Sequence, residues 1–348
     1  MNPYVLAVLI STLALGTAVT FASSHWLMAW MGLELNTLAI LPLMSQDQSP
    51  RAVEATTKYF LTQATAAAVI LFASTTNAWI MGEWGITQVS HPATATLIAI
   101  ALAMKVGLAP MHLWLPDVLQ GLDLTAGLVL STWQKLAPFA ILIQVAPTVH
   151  PMLLTIMGLA SVLVGGWGGM NQTQLRKILA YSSIAHLGWM MVVIQYAADL
   201  AFFTLIIYIT MTSAAFLTFK MTSSMNIGTL ALSWTKFPVL APLAAMTLLS
   251  LGGLPPLTGF MPKWLILEEL AKQGLSLLAV VTALSALLSL YFYLRLSYAL
   301  TLTVSPGTTS VPASWRLYSK ANMLPLALFI ILTLCLLPML PALFSVSG

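Results

Sequence analysis

Four ionisable side chains lie within otherwise apolar stretches of the sequence. They are Glu34, Lys105, Lys135 and Lys263. A charge at the centre of a membrane-spanning helix costs roughly 3 kcal/mol or more, so such residues usually face a polar cavity and mark an ion or proton path. Burial disfavours the charged form of a lysine and a nearby anion favours it, so a small geometric change can switch its charge. The chemistry predicted for these residues is therefore reversible proton binding.

Each of the four has a functional and a structural interpretation. Glu34 is predicted to act on Lys105 as a charged partner, and the alternative is a structural ion pair or a neutral, hydrogen-bonded acid. Lys135 lies in the middle of an apolar stretch and is predicted to be a central proton relay. The alternative is that it only extends its amine to the membrane surface. Lys263 is either an exit-side proton carrier or a surface anchor beside Trp264.

The histidines divide into two groups. His112 and His186 lie inside predicted membrane segments, where an imidazole can accept and donate a proton at its two nitrogens. The alternatives are a hydrogen-bonded structural role and, from side-chain chemistry alone, haem ligation. His25, His91 and His150 are placed at helix ends, at the membrane interface. Three hydroxyl side chains have two possible roles, lining a water path or packing between helices. They are Tyr181, Ser182 and Ser183.

Composition indicates a polytopic helical membrane protein. Of the 348 residues, 59% are hydrophobic and only 6% are charged. Long apolar runs recur along the chain, which excludes a soluble globular protein. The single cysteine, Cys335, allows neither an internal disulfide nor an iron-sulfur cluster held by this chain alone. The formal charge of +4 is accounted for by loop residues and calls for no nucleic-acid partner.

Windows of about 20 apolar residues predict eleven spanning helices. They are placed near 3–21, 26–44, 57–81, 92–120, 124–146, 151–169, 174–195, 199–222, 238–272, 275–303 and 323–345. Two of them are too long for one straight span and contain Gly and Pro, so both are predicted to be discontinuous. The predicted helix-break residues are Gly107, Pro110, Gly253, Pro255 and Pro256. The polar stretch 305–320 is predicted to be a surface loop.

The distribution of cations predicts the orientation. When the predicted helices are threaded through the membrane, nine of the 13 Lys and Arg residues fall on the same side as the N-terminus. Lys272 alone falls on the opposite side. Because loops on the cytoplasmic or matrix side carry the excess of Lys and Arg, the N-terminus is predicted there and the C-terminus opposite. The chain start shows no basic or Arg/Ser-rich targeting segment, so no cleaved presequence is expected.

A faint internal repeat links the two broken helices. The fourth segment reads KVGLAP from Lys105 and the ninth reads GGLPP from Gly252. The two segments are five helices apart and so cross the membrane in opposite directions, as in an inverted repeat with a midplane site. The predicted fold is all-α, about 11 transmembrane helices in a single membrane domain, 1–348. Its halves are 1–146 and 151–303, each five helices, and the helix at 323–345 is appended.

Five segments give the sequence a specific resemblance. They are MGLELN from Met31, KVGLAPMHLWLPDVLQ from Lys105, STWQKLAP from Ser131, RKILAYSSIAHLGW from Arg176 and GLPPLTGFMPKW from Gly253. In order and spacing they resemble the antiporter-like proton-pumping subunits of respiratory NADH:ubiquinone oxidoreductase. The likeness covers essentially the whole chain, which lacks about three N-terminal helices of the general family pattern. The shortening is similar to that of animal mitochondrial members and implies that neighbouring subunits cover the first repeat.

The resemblance implies a proton-translocating membrane-arm subunit driven by remote electron transfer from NADH to ubiquinone. It implies no cofactor in this chain, with NADH, FMN, iron-sulfur clusters and ubiquinone held elsewhere in the complex. Expected partners are adjacent antiporter-like chains, supernumerary subunits and phospholipids such as cardiolipin, in the mitochondrial inner membrane, with the N-terminus in the matrix and the C-terminus in the intermembrane space. Two alternatives stay open: a free-standing cation/proton exchanger, and a scaffold subunit that does not pump.

Overall fold

The computed structural model describes residues 2–46, 48–301 and 323–337, and within these the regular elements are helical. The α-helices are α1 (Pro3–Ala22), α2 (Trp26–Met44), α3 (Pro50–Met81), α4 (Pro92–Val106), α5 (Trp114–Gly121), α6 (Leu124–Val145), α7 (Pro151–Met170), α8 (Leu175–Val193), α9 (Ala198–Thr222), α10 (Ile227–Ala231), α11 (Ser233–Lys236), α12 (Leu240–Gly252), α13 (Phe260–Lys272), α14 (Ser276–Thr301) and α15 (Leu324–Cys335). The all-α, multi-pass prediction is confirmed. The predicted loop 305–320 and the end of the last predicted span lie outside the described residues.

Seven of the described helices are long and apolar enough to cross a membrane, and three shorter ones are apolar. The seven spans are Pro3–Ala22, Trp26–Met44, Pro50–Met81, Leu124–Thr148, Pro151–Met170, Ala198–Thr222 and Ser276–Thr301. The shorter ones are α4, α12 and α15. α8, with 19 residues, carries Arg176 and Lys177 near its start. The total of eleven crossings and the inverted repeat stay predictions.

Local sequence explains where the helices begin. Proline occupies the first turn of α1, α3 and α4, where its missing N–H is not needed. Ser49 caps α3 by accepting a hydrogen bond from the backbone N–H of Ala52 at 3.2 Å. The prediction that this helix begins at residue 57 was wrong by seven residues, because the Ser-Pro cap extends it to Pro50. The longer helix includes Glu54, which pairs with Lys58 at 2.9 Å.

Both predicted discontinuities are present. α4 ends at Val106, and Gly107 follows in the left-handed conformation, with φ 88° and ψ 42°. α12 ends at Gly252, and Gly253 follows with φ 81° and ψ 43°. These two glycines end their helices in a conformation that other residues adopt only at a cost. The chain resumes helical structure at α5 and α13, so each interruption separates two half-helices.

The chain divides into two compact units. Unit 1 comprises Met1–Ser161 and Met190–Ala198, and unit 2 comprises Val162–Trp189 and Asp199–Gly348. Each unit contains one of the two interrupted helices, with α4 and α5 in unit 1 and α12 and α13 in unit 2.

Contacts between loops show which helix ends lie together. In unit 1, His25 stacks on Trp84 with ring centroids 5.3 Å apart. The backbone N–H of Trp26 donates to the carbonyl of Trp84 at 3.1 Å. In unit 2, the backbone N–H of Leu175 donates to the carbonyl of Met225 at 3.0 Å. Loops that are two crossings apart therefore meet, as successive crossings require.

Candidate proton-translocation site

Lys105 lies in the last turn of α4, immediately before the first helix break. Its side chain is 5% exposed, and its amine has no hydrogen-bond partner among the described residues. The carboxyl end of a helix carries a partial negative charge, which favours a cation in this turn. A buried amine without a partner is costly unless it can lose or share its proton. At this position the helix end stabilises the charged form of the amine, whereas burial destabilises it.

Three side chains fix the backbone around this break. Gln63 from α3 donates to the carbonyl of Lys105 at 3.4 Å. The indole N–H of Trp114 donates to the carbonyl of Met104 at 3.1 Å. Beyond the break, the N–H of Ala109 donates to the hydroxyl of Ser161 at 2.9 Å. Backbone groups that the interrupted helix leaves free are therefore paired with side chains.

Glu34 and Lys105 do not form an ion pair in this structure. The carboxylate is partly buried on α2 and accepts a hydrogen bond from the hydroxyl of Thr37 at 2.9 Å. Its electrostatic influence reaches both Lys105 and Tyr59. The ion pairs within 4 Å in the described part of the chain do not include Glu34 and Lys105. The two side chains are therefore not in contact, and their coupling stays a prediction.

Lys135 lies on α6 and is 3% exposed. Pro138, three residues later in the same helix, has no N–H and leaves the carbonyl of Gln134 without its usual helical donor. The side-chain amide of Gln134 donates to the carbonyl of Asn36 on α2 at 3.2 Å. This bond ties α6 to α2 at the level of Lys135.

Asn36 is a buried polar residue that the sequence analysis did not single out. It is 2% exposed, and neither atom of its side-chain amide has a hydrogen-bond partner among the described residues. A β-carbon at Gly16 would collide with its side-chain oxygen, so α1 approaches α2 closely here. Asn36 and Gln63 are amide side chains inside apolar helices. An amide in such a helix is the sequence feature that could have identified both residues.

His112 lies in the first break, between α4 and α5. It is 8% exposed, and its Nδ1 is 3.2 Å from the carbonyl oxygen of Pro110. The nitrogen facing this carbonyl must carry a hydrogen, which leaves Nε2 to accept. His25, His91 and His150 accept a backbone N–H at the start of α2, α4 and α7, at 3.2, 3.3 and 3.3 Å. These three are therefore helix caps.

Lys263 is bound at the second break, in unit 2. Although it lies on α13, its amine reaches back to the end of α12 and donates to the carbonyl of Gly252 at 2.7 Å. A β-carbon on Gly253 would lie 2.8 Å from this amine. Glycine is thus required there both for the left-handed turn and for the space that Lys263 fills. Trp264, its neighbour in sequence, is 56% exposed.

The loop of the second break is also tied to α15. The hydroxyl of Thr258 donates to the carbonyl of Thr333 at 2.6 Å. Ser250, near the end of α12, lies 3.3 Å from the Thr258 hydroxyl. The appended helix thus contacts the break directly. In residues 2–46, 48–301 and 323–337 no group of three His, Cys, Asp or Glu side chains is suited to hold a metal ion.

Comparison with protein families covers almost the whole chain. Residues 23–289 match the family described as NADH:quinone oxidoreductase/Mrp antiporter, TM. The chain belongs to this family. Residues 290–344 match the family described as NADH dehydrogenase subunit 2 C-terminus.

Individual relatives of this antiporter-family chain agree with the assignment. The NADH-ubiquinone oxidoreductase chain 2 of Salmo salar is 68% identical over 98% of both chains. A chain of respiratory complex I from Thermus thermophilus, solved with bound aureothin, superposes with a TM-score of 0.82 at 29% identity, over 97% of this chain and 80% of that one. A chain of the Mrp complex from Dietzia sp. DQ12-45-1b has a TM-score of 0.81 at 16% identity, over 98% and 76%, which shows the same fold.

Proposed function

We propose that this chain is a proton-translocating membrane-arm subunit of NADH:ubiquinone oxidoreductase. The observation that carries the proposal is the amine of Lys105, which is buried at the end of a half-helix without a hydrogen-bond partner among the described residues. Glu34 is the proposed anion that acts on it. Such a group binds a proton when the anion is effective and releases it when the anion is neutralised or moved away. The family membership and the Salmo salar relative support the assignment to this complex.

In unit 1 the proposed carriers are Glu34, Lys105 and Lys135. Glu34 sets the charge of Lys105, and Lys135 receives the proton deeper in the path. Lys105 and Lys135 are both nearly inaccessible to bulk solvent, so we propose that the proton passes between them through internal water. The unpaired amide of Asn36 supplies a polar anchor for such water. His112, with Nε2 available as an acceptor, is proposed to serve the same path.

In unit 2 the proposed carriers are His186 and Lys263. The amine of Lys263 is held at the break by the Gly252 carbonyl, and this contact favours a carrier over a surface anchor. A lysine that holds a carbonyl at a hinge can exchange that bond for water when the hinge moves. The helix breaks at Gly107, Pro110, Gly253, Pro255 and Pro256 are proposed as the flexible points that such movement uses.

The remaining assignments complete the proposal. Oxidation of NADH and reduction of ubiquinone take place on other subunits, with FMN and iron-sulfur clusters held there, and this chain binds no redox cofactor. The neighbouring partners are antiporter-like chains, supernumerary subunits and phospholipids such as cardiolipin. The complex lies in the mitochondrial inner membrane, with the N-terminus in the matrix and the C-terminus in the intermembrane space.

The decisive test is Lys105→Ala in the assembled complex, reconstituted into vesicles. Proton pumping and coupled NADH:ubiquinone reduction should fall by about tenfold or more, since a positioned proton carrier contributes at least that much. NADH oxidation by an artificial hydrophilic acceptor should be unchanged. The matched control is Lys272→Ala, which removes an exposed lysine paired with Glu268 at 2.9 Å and should leave pumping intact.

Two outcomes would favour other functions. Undiminished pumping by a fully assembled Lys105→Ala complex would identify the chain as a scaffold. Cation/proton exchange by the purified chain alone in vesicles would identify a free-standing exchanger, the alternative that the fold shared with the Mrp complex chain leaves open.

A further inference from the structure

The loop between α12 and α13 is hydrogen-bonded to α15 through Thr258. The hydroxyl of Thr258 donates to the carbonyl of Thr333 at 2.6 Å, and the direction of this bond is fixed because a carbonyl can only accept. Thr258 is 2% exposed and Thr333 is 1% exposed, so bulk water has little access to the bond. Thr333 lies in the last turn of α15, where carbonyls commonly lack a helical donor. The bond therefore satisfies a buried acceptor and joins residues that are 75 positions apart in the chain.

The same loop also packs against the end of α12. A β-carbon on Gly259 would collide with the carbonyl oxygen of Ser250, so the loop backbone lies directly on the last turn of α12. The hydroxyl of Ser250 lies 3.3 Å from that of Thr258 and 3.5 Å from the Thr333 carbonyl. These contacts are longer than the bond from Thr258 to Thr333. Thr258 therefore provides the stronger polar link between the second break and α15.

Apolar packing holds α15 in place. Ile330 is buried in a cluster with Ala214 of α9 and Leu240 of α12. Ile331, the next residue of the helix, is 58% exposed. α15 thus has a defined position on α9 and α12, from which it can anchor the loop of the second break.

This loop connects the two groups that form the bond at the second break. The acceptor, the carbonyl of Gly252, precedes the loop, and the donor, the amine of Lys263, follows it on α13. If Thr258 leaves α15, the loop loses this anchor, and the end of α12 is free to move relative to α13. The distance between the Gly252 carbonyl and the Lys263 amine therefore depends on the bond that Thr258 makes.

We propose that Thr258 is a positioning residue whose bond to α15 keeps the Gly252 carbonyl and the Lys263 amine in contact, so that α15 controls how readily Lys263 exchanges this carbonyl for water. The proposal rests on the proposed function of Lys263 as a proton carrier. Because α15 lies in the region 290–344, control of the second break comes from outside the range 23–289 that matches the antiporter family.

The first test is Thr258→Val in the reconstituted complex, since this change keeps the shape of the side chain and removes its hydroxyl. Proton pumping per assembled complex should fall by roughly fivefold, the effect of leaving one buried acceptor without its donor. Thr258→Ser keeps a hydroxyl and should restore most of the pumping. The matched control is Thr247→Val, which should pump normally, because Thr247 is 0% exposed and its hydroxyl donates to the Ala244 carbonyl within its own helix at 2.8 Å. Equal losses in the Val and Ser variants of Thr258 would overturn the proposal.

A second variant tests the position of α15 with Thr258 intact. Ile330→Ala removes packing between α15 and its neighbours, so pumping per assembled complex should fall as it does in Thr258→Val. The two changes combined should be little worse than the worse single change, since both release the same loop. Ile331→Ala is the control on the exposed side of α15 and should pump normally. If Thr258→Val fails to assemble, the comparison of these two isoleucine variants decides the question, and equal pumping by both refutes the proposal.

A double variant tests whether Thr258 acts through Lys263. Lys263→Met removes the amine, so the addition of Thr258→Val should cause little further loss of pumping. If the two losses multiply, Thr258 acts by another route and the proposal is refuted. Normal pumping by Lys263→Met alone would also refute it, because there would be no carrier for Thr258 to position.

Lys105→Ala, measured in parallel, separates this proposal from the proposed function. If Lys105→Ala and Lys263→Met lose pumping while Thr258→Val pumps normally, the role of Thr258 is refuted and the proposed function stands. If Lys105→Ala also pumps normally, the proposed function itself fails, and the role of Thr258 fails with it.

Discussion

Lys105 and Lys263 share an environment that allows an amine to be kept at membrane depth. Lys105 lies in the last turn of α4, and the amine of Lys263 binds the carbonyl of Gly252, the last residue of α12. Each lysine is therefore associated with the carboxyl end of a half-helix, where unpaired carbonyls and the helix dipole favour a cation. They differ in one respect, because the Lys263 amine has a partner and that of Lys105 has none among the described residues.

The proposed coupling of Glu34 to Lys105 predicts that the effects of the two substitutions do not add. Glu34→Gln removes the anion that favours the charged lysine, and Lys105→Met removes the amine itself. The double variant should therefore pump little worse than the worse single variant. Pumping by the two singles and the double in vesicles measures this. As a control, Glu34→Gln combined with Lys272→Ala should show independent effects. If the losses of pumping in the two single variants multiply in the double variant, the two residues act independently. Glu34 would then have only a structural role.

The histidine caps give a second prediction at this scale. His91 accepts the N–H of Ala93 through Nδ1, and His91→Ala should destabilise the start of α4 by about 1 kcal/mol. His91→Asn should keep most of this stability because its side-chain oxygen can replace Nδ1. Thermal dissociation of the assembled complex compares the three forms. Equal loss in the Ala and Asn variants would contradict a capping role.

Among the elements, the two interrupted helices are stabilised in different ways. The break after α4 is fixed by side chains of Gln63, Trp114 and Ser161, which pair its free backbone groups. The break after α12 is fixed by Lys263 and by the bond from Thr258 to α15. Lys263, a proposed proton carrier, is thus part of the support at the second break. Movement of that break and the charge of Lys263 are therefore linked.

Gly253→Ala tests this link. It adds a β-carbon to a left-handed residue and places it 2.8 Å from the Lys263 amine, so the Lys263 side chain must shift, and its bond to the Gly252 carbonyl is expected to weaken. Gly274→Ala is the matched control, because Gly274 also has a positive φ, 73°, but has no atom within 4 Å of the added carbon. Both variants should lose about 1–2 kcal/mol from backbone strain, and only Gly253→Ala should lower pumping. Similar pumping by the two would show that the position of Lys263 does not matter.

At the scale of the whole molecule, the distribution of Lys and Arg and the contacts between helix ends both bear on the orientation of the chain in the membrane. Arg295 near the end of α14 donates to the carbonyl of Met170 at the end of α7, at 2.9 Å. Within unit 2 these two helix ends therefore lie together, as the predicted alternation of crossings requires. In unit 1, Lys58 of α3 pairs with Asp117 of α5 at 3.2 Å. This ion pair likewise brings together two helices whose ends are predicted to lie on the same side. The assignment of these ends to the matrix side depends on the excess of Lys and Arg.

Labelling of single cysteines tests this orientation. In a Cys335→Ser background, a cysteine at Lys220 should react with an impermeant reagent only from the matrix side, and one at His150 only from the opposite side. Arg316, another of the nine cations predicted on the matrix side, lies outside the described residues and provides a third site. Opposite accessibility at Lys220 and His150 would overturn the predicted number of crossings.

The sequence by itself determined the helical membrane class, the place of Lys105 and Lys135 within apolar helices, and the position of both helix breaks. These features depend on local composition, since apolar length sets a span and the combination of Gly with a nearby Pro in GLAP and GLPP favours a helix end. The contacts that give these residues their chemistry were decided by tertiary structure. Gln63 and Lys105 are 42 residues apart. His186 and Tyr293, whose Nε2 and hydroxyl oxygen lie 3.4 Å from each other, are 107 residues apart. Such pairs depend on which helix faces meet, and small residues and packing determine that without a periodic pattern in the chain.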